Sequence, residues 1–123
     1  MKTAILILQN LIRIIGLILL ALGFSFWGGR ALEFIPLHMR LGEILVVLLW
    51  ILAWLSIRRG VKQSVAIMVM IYGLFVFLFA TNMGRFLPGR AHEAIRVLHF
   101  LFGVIAIGLA EMLGGRMKRR SLA

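Results

Sequence analysis

Residues 64–83 read SVAIMVMIYGLFVFLFATNM, an unbroken stretch with no acidic or basic side chain. A helix needs about 20 mostly apolar residues to cross the hydrocarbon core of a bilayer, and this stretch is long enough. It predicts a membrane-spanning helix, and the pattern recurs on both sides of it. Residues 36–57 form an apolar span that opens on Pro36 and closes at Arg58-Arg59-Gly60. Proline suits the first position of a helix, where its missing N–H is not needed. Residues 4–27 form another span, interrupted by Gln9, Asn10 and Arg13. After Pro88-Gly89, residues 91–113 form the last, followed by Gly114-Gly115 and a basic tail over 114–123. Short connections make successive helices antiparallel neighbours. The expected fold is all-α, an up-down four-helix membrane bundle forming a single transmembrane domain over residues 1–123.

Composition agrees with that class. Hydrophobic residues make up 63% of the chain and charged residues 15%, against about 25% charged in ordinary soluble domains. The chain has no cysteine, which excludes disulfides, thiolate metal ligands and covalent c-type haem attachment. A formal charge of +10 would point to nucleic acid in a soluble protein. Here the cations flank apolar spans, and no nucleic-acid motif, phosphate loop or catalytic triad spacing accompanies them. Lys2 ahead of an apolar run also fits a secretory signal, but the run exceeds the 7–15 residues of a signal core. It is expected to stay as a helix.

Lysine and arginine bias sets orientation. Lys2, Arg58, Arg59, Lys62, Arg116, Lys118, Arg119 and Arg120 fall at one end of the spans. Arg30, Arg40, Arg85, Arg90 and Arg96 fall at the other, diluted by Glu33, Glu43 and Glu93. Both termini are therefore expected to be cytoplasmic, with the histidines toward the outer face.

Those histidines are the chemical signal. Ionisable groups inside a membrane are penalised, so they usually mark a pathway, a ligand or a cofactor. His92 and His99 are seven residues apart and share a helix face, with about 10 Å of rise between them. The same face continues through Gly103, Ala106 and Ala110, and small residues let helices approach closely in lipid. His99 should therefore look into the bundle. Gln9, Arg13, Gly16, Leu20 and Gly23 form a similar stripe on the first span, and Ala66, Gly73 and Ala80 on the third. Counting rises from Arg58 and Leu113 puts His38 level with His92, and His99 level with Glu43.

A bis-histidine haem needs two neutral imidazoles approaching iron from opposite faces, commonly from two helices of a bundle. His38 supplies one side, and His99 or His92 the other. Burial ranks the pair His38–His99 first, although the depth count favours His92. Leu41, Leu45, Val97, Phe100 and Phe102 are near enough to line an apolar slot. Arg40, Arg85, Arg90 and Arg96 can meet the propionates. Other readings stay open. Zinc accepts nitrogen and oxygen ligands, so His38, His92, His99 and Glu43 also suit a metal. Glu43 can instead serve as an internal partner for His99. Arg13 can snorkel to the membrane surface or pair with Glu111. Trp27, Trp50, Trp54 and Tyr72 read as packing or interfacial residues. A small-solute transporter or a cofactor-free accessory subunit of a larger complex would have the same outline. Small multidrug exporters, however, depend on a glutamate in the first span, where this chain has Arg13.

The run His38-Met39-Arg40-Leu41-Gly42, then Leu87-Pro88-Gly89-Arg90-Ala91-His92 and Val97-Leu98-His99, with Gly103 and Ala110-Glu111 after it, resembles a family of small bacterial four-span membrane proteins. These are similar to reduced b-type cytochromes. The resemblance covers spans two to four, and Glu93 stands where the family often has an aromatic residue. It implies non-covalent haem b in a bacterial inner membrane and supplies no substrate. Two histidine ligands would leave no open site for oxygen, so one-electron transfer with a quinol or redox partner at the outer side is the expected role. The resemblance assigns no catalytic side chain. A homo-oligomer in the lipid bilayer is compatible with it.

Overall fold

Four helices carry the chain: α1 (Lys2–Trp27), α2 (Ile35–Arg58), α3 (Gln63–Asn82) and α4 (His92–Leu122). The structure, a computed structural model, describes residues 2–86 and 89–122, the last two of these as backbone. Leu87 and Pro88, in the loop motif quoted above, lie outside the described residues. Short 3₁₀ turns at Leu32–Phe34, Met83–Arg85 and Gly89–Ala91 complete the connections. All four helices are long and apolar enough to cross a membrane. The fold is the up-down bundle.

Glycine stops two of the helices. Gly60 has φ +83°, a left-handed backbone that costs glycine nothing because it lacks a Cβ. Its N–H donates to Ile57 O at 3.0 Å, and Val61 N–H donates to Ser56 O at 2.9 Å. This is a Schellman closure, and buried Val61 makes its accompanying hydrophobic contact. Gly29 ends α1 in the same way, with bonds from Gly29 to Phe26 O and from Arg30 to Ser25 O. Gly114-Gly115 does not stop α4, which runs past the expected end at Leu113 to Leu122. Neither glycine has a positive φ. Gly114 is buried so tightly against the Gln9 side chain of α1 that a Cβ has no room there. That glycine serves close approach between helices, and the basic tail is helical.

The core fills the half of the bundle that holds the termini. Ile12 of α1, Leu49, Leu52 and Ala53 of α2, Ala66 and Val69 of α3, and Ala110, Leu113 and Met117 of α4 are almost wholly buried. Three of the alanines anticipated on small-residue stripes, Ala66, Ala106 and Ala110, are among the buried residues, and Gly16 packs against Ile107. Gly103 faces open space. α2 touches α1, α3 and also α4 across the bundle. Leu17, Leu6 and Ile14 of α1 and Ile71 and Leu78 of α3 are exposed, as lipid-facing residues should be.

Two hydrogen bonds cross between helices at mid-span. Trp50 Nε1 of α2 donates to Met70 O of α3 at 3.0 Å. Tyr72 Oη of α3 donates to Phe102 O of α4 at 2.7 Å. Hydrocarbon offers polar groups no partner, so these side chains use carbonyls of the neighbouring helix. Gly73 makes the first bond possible, since a Cβ there would stand 2.7 Å from Trp50 Nε1. Gly73→Ala should displace the indole and lower stability by roughly 1–3 kcal/mol, the usual range for overpacking. Gly103→Ala should be close to neutral. Unfolding midpoints in mixed micelles titrated with a denaturing detergent would check both.

Candidate cofactor site

His38 lies in the first turns of α2, two residues after Pro36, and His99 lies about two turns into α4. The contact between α2 and α4 across the bundle brings the two rings together, with centroids 6.1 Å apart and planes at 62°. Phe26 of α1 meets the His38 ring edge-on at 5.3 Å. Phe24 packs on Phe100 at 5.3 Å, which closes the α1 side of the site. Gly23 packs beside His38, where a Cβ would stand in ordinary contact, 3.8 Å from His38 Cε1. This end of the bundle is lined by aromatic rings where the other is packed with alanine.

The buried Nδ1 atoms of His38 and His99 have no hydrogen-bond partner, and no other described buried side-chain nitrogen or oxygen shares that condition. A neutral imidazole carries one donor and one acceptor nitrogen, and leaving a buried one unmatched costs about 1–3 kcal/mol. Two unmatched rings in edge-on contact form a nitrogen donor set without an internal satisfier. They fit a bis-imidazole iron site, which needs two neutral nitrogen ligands from separate helices and no thiolate.

The remaining sequence candidates are distributed around this pair. His92 is not part of it. Its Nδ1 lies 3.2 Å from Phe86 O, so the ring packs on the α3–α4 loop. Glu43 is not the partner of His99 either, because it takes Arg40 Nη1 at 3.1 Å. Arg96 Nη1 pairs with Glu93 at 3.0 Å. Arg40 and Arg96 are exposed, as are Arg85 and Arg90 in their 3₁₀ turns at the same end. Among the described residues no three of His, Asp and Glu gather where they could hold a metal ion. The structure thus does not assemble the His38–His92–His99 metal set. Phe102 leaves the slot as well, joining Phe75 and Phe79 at 5.2 and 5.0 Å on the α3 side. Val97 is on the exposed surface and Leu45 is in the core.

One contact here escaped the sequence reading. Trp27 Nε1, at the end of α1, donates to Glu93 Oε2 at 3.0 Å. Glu93 therefore accepts from both Trp27 and Arg96 and fastens α1 to the start of α4. The available signal was a tryptophan ending the first span and a glutamate opening the fourth, in the same layer. At the opposite end Arg13 takes the pairing option and not the snorkelling one. Its Nε meets Glu111 Oε1 at 2.5 Å, its Nη2 meets Oε2 at 2.8 Å, and its Nη1 donates to Asn10 Oδ1 at 3.0 Å.

No protein-family model matches this chain, and neither a curated protein nor a solved structure matches it.

The two-pronged pair between Arg13 and Glu111 generates a clear expectation. Removing one partner leaves an uncompensated charge in the bilayer, whereas removing both leaves none. The double variant Arg13→Leu/Glu111→Leu should therefore be more stable than the less stable of the two single variants. Thermal unfolding of all four proteins in one detergent gives the coupling directly.

Proposed function

We propose that this chain is a membrane-embedded b-type haem protein, with His38 and His99 as axial ligands, that passes single electrons between a quinol and an acceptor at the histidine end. The observation that carries the reading is the 6.1 Å separation of two half-buried rings whose Nδ1 atoms are unpartnered. Imidazole nitrogens bind a metal at about 2 Å, and these two rings, from separate helices, would be close enough to hold the iron of a haem between them. Bound haem supplies a one-electron iron couple. The chain would supply the two neutral nitrogens and the neighbouring aromatic rings of Phe24, Phe26 and Phe100. Arg40, Arg85, Arg90 and Arg96 provide positive charge for propionates. Held by both histidines, the iron would have no open site for oxygen, which favours electron transfer over oxygen chemistry. The resemblance to reduced b-type cytochromes supports the same reading. It also supports a bacterial inner membrane, and the cation bias supports cytoplasmic termini.

The test is the absorbance spectrum of protein made in cells well supplied with haem. A reduced-minus-oxidised Soret and alpha band is expected. His38→Ala and His99→Ala should each abolish the six-coordinate spectrum, while His92→Ala should retain it. A protein without Soret absorption overturns the proposal, and stoichiometric zinc in such a preparation would replace it with a metal site.

The arginines have their own readout. Arg40→Gln or Arg96→Gln should lower the midpoint potential with haem still bound, because a nearby positive charge favours the reduced state. Redox titration of the purified variants checks this.

A further inference from the structure

The histidine-free end of the bundle holds a second feature that the haem reading leaves unused. Lys62, from the α2–α3 connection, and Arg116, Arg119 and Arg120, from the last turns of α4, converge on one cavity of about 460 Å³ with buried Val61 among its lining residues. No carboxylate lines it. The chain has only four acidic residues. Glu43, Glu93 and Glu111 are engaged by Arg40, Arg96 and Arg13, and Glu33 lies in the Leu32–Phe34 turn at the histidine end. None of the four cations in the cavity has an ion-pair partner among the described residues.

The arginines are also placed. The Arg120 side chain lies over Gly60, with Cδ and Nη1 at 3.5 and 3.6 Å from where a Cβ would be. Arg119 Nη1 lies 3.5 Å from the equivalent point on Gly115. Orientation by charge bias needs only a count of cations near the ends of spans. It does not need them gathered from two elements around one cavity. Four gathered cations repel one another unless an anion joins them. The cavity opens at the ends of α2 and α4, the level of the lipid headgroups, where phosphate is the abundant anion.

We infer that this cavity binds the phosphate of an anionic lipid headgroup. Basic pockets between transmembrane helices recognise such headgroups through clustered lysine and arginine, and arginine's fork of donors matches phosphate oxygens. The site does not depend on the histidine pair, so the spectroscopic test above neither supports nor removes it.

The experiment uses the full chain, reconstituted in vesicles of phosphatidylcholine alone, with phosphatidylglycerol, and with cardiolipin. The protein is then extracted in mild detergent, and lipid is counted by native mass spectrometry. Anionic lipid should be retained selectively over phosphatidylcholine, and added anionic lipid should raise the unfolding temperature. Each arginine removed should lower anionic-lipid affinity about fivefold, so Arg116→Gln/Arg119→Gln/Arg120→Gln should lose retention. A control of equal charge loss, Lys2→Gln/Arg30→Gln/Arg58→Gln, should keep it. Should the triple variant lose helicity, the single variants Arg119→Gln and Arg120→Gln at the helix end carry the comparison. Equal retention of phosphatidylcholine, or equal loss in the control, overturns the inference. So does stabilisation of lipid-free micelles by inorganic phosphate or pyrophosphate at the same arginines, which would make this a soluble-phosphate site.

Discussion

Hydrocarbon cannot hydrogen-bond, so every polar side chain between the membrane faces has to find its partner within the protein. The bundle is assembled around that constraint. Arg13 and Glu111 join α1 to α4, Trp50 joins α2 to the backbone of α3, Tyr72 joins α3 to the backbone of α4, and Trp27 joins the end of α1 to the start of α4. Each link works because a small residue lets the helices close in or because two long side chains meet. Gly73 under Trp50 is the clearest case. Against so complete a matching, the orphaned Nδ1 atoms of His38 and His99 stand apart. Native structures rarely leave such groups unmatched without a reason.

The two halves of the bundle are built differently. In the half with the termini, alanines and leucines between the helices are buried almost to zero exposure, so the interior there is close-packed, and the cavity lined by Lys62 and the three arginines lies at its outer end. In the histidine half, the contacts are between rings: Phe24 with Phe100, Phe26 with His38, and Phe75 and Phe79 with Phe102. Ring edges can re-stack at lower cost than an interlocked aliphatic core can open. The aliphatic half holds the fold together, and the aromatic half surrounds the two histidines.

Much of this could be read from the residues. Apolar stretches of spanning length, one of them free of charge, gave the helices, and the seven-residue spacing of His92 and His99 with the small residues beyond put His99 on the inward face. The depth count failed because it measured α4 from Leu113, taking Gly114-Gly115 as a stop. The helix continues, so that reference point sat too high. His99 stands as many residues before Arg119 as His38 stands before Arg58, and measured from those cations the two rings are level. Gly114 misled because a glycine that ends a helix and one that admits a neighbour look alike in a sequence. Phe102 was misplaced for a geometric reason. Three residues beyond His99 a helix has turned to about 60° from the starting face, enough to hand the ring to α3. The Trp27–Glu93 bond depends on the relative rotation of α1 and α4, which no periodicity within a single helix reports.

The helices differ in length, and this ties the molecule to a particular kind of membrane. α3, at 20 residues, is about 30 Å long, which matches the hydrocarbon thickness of an average bilayer with little to spare. α4, at 31 residues, is about 46 Å long and overshoots that thickness, so its surplus turns reach into the headgroup layer. The bundle cannot relieve a thicker bilayer by tilting, because tilt shortens the reach of α3 first. Lipid would have to thin around that one helix, at a fraction of a kcal/mol per ångström of hydrophobic mismatch. The shortest helix therefore acts as a gauge, and membranes no thicker than average accommodate this protein with the least distortion.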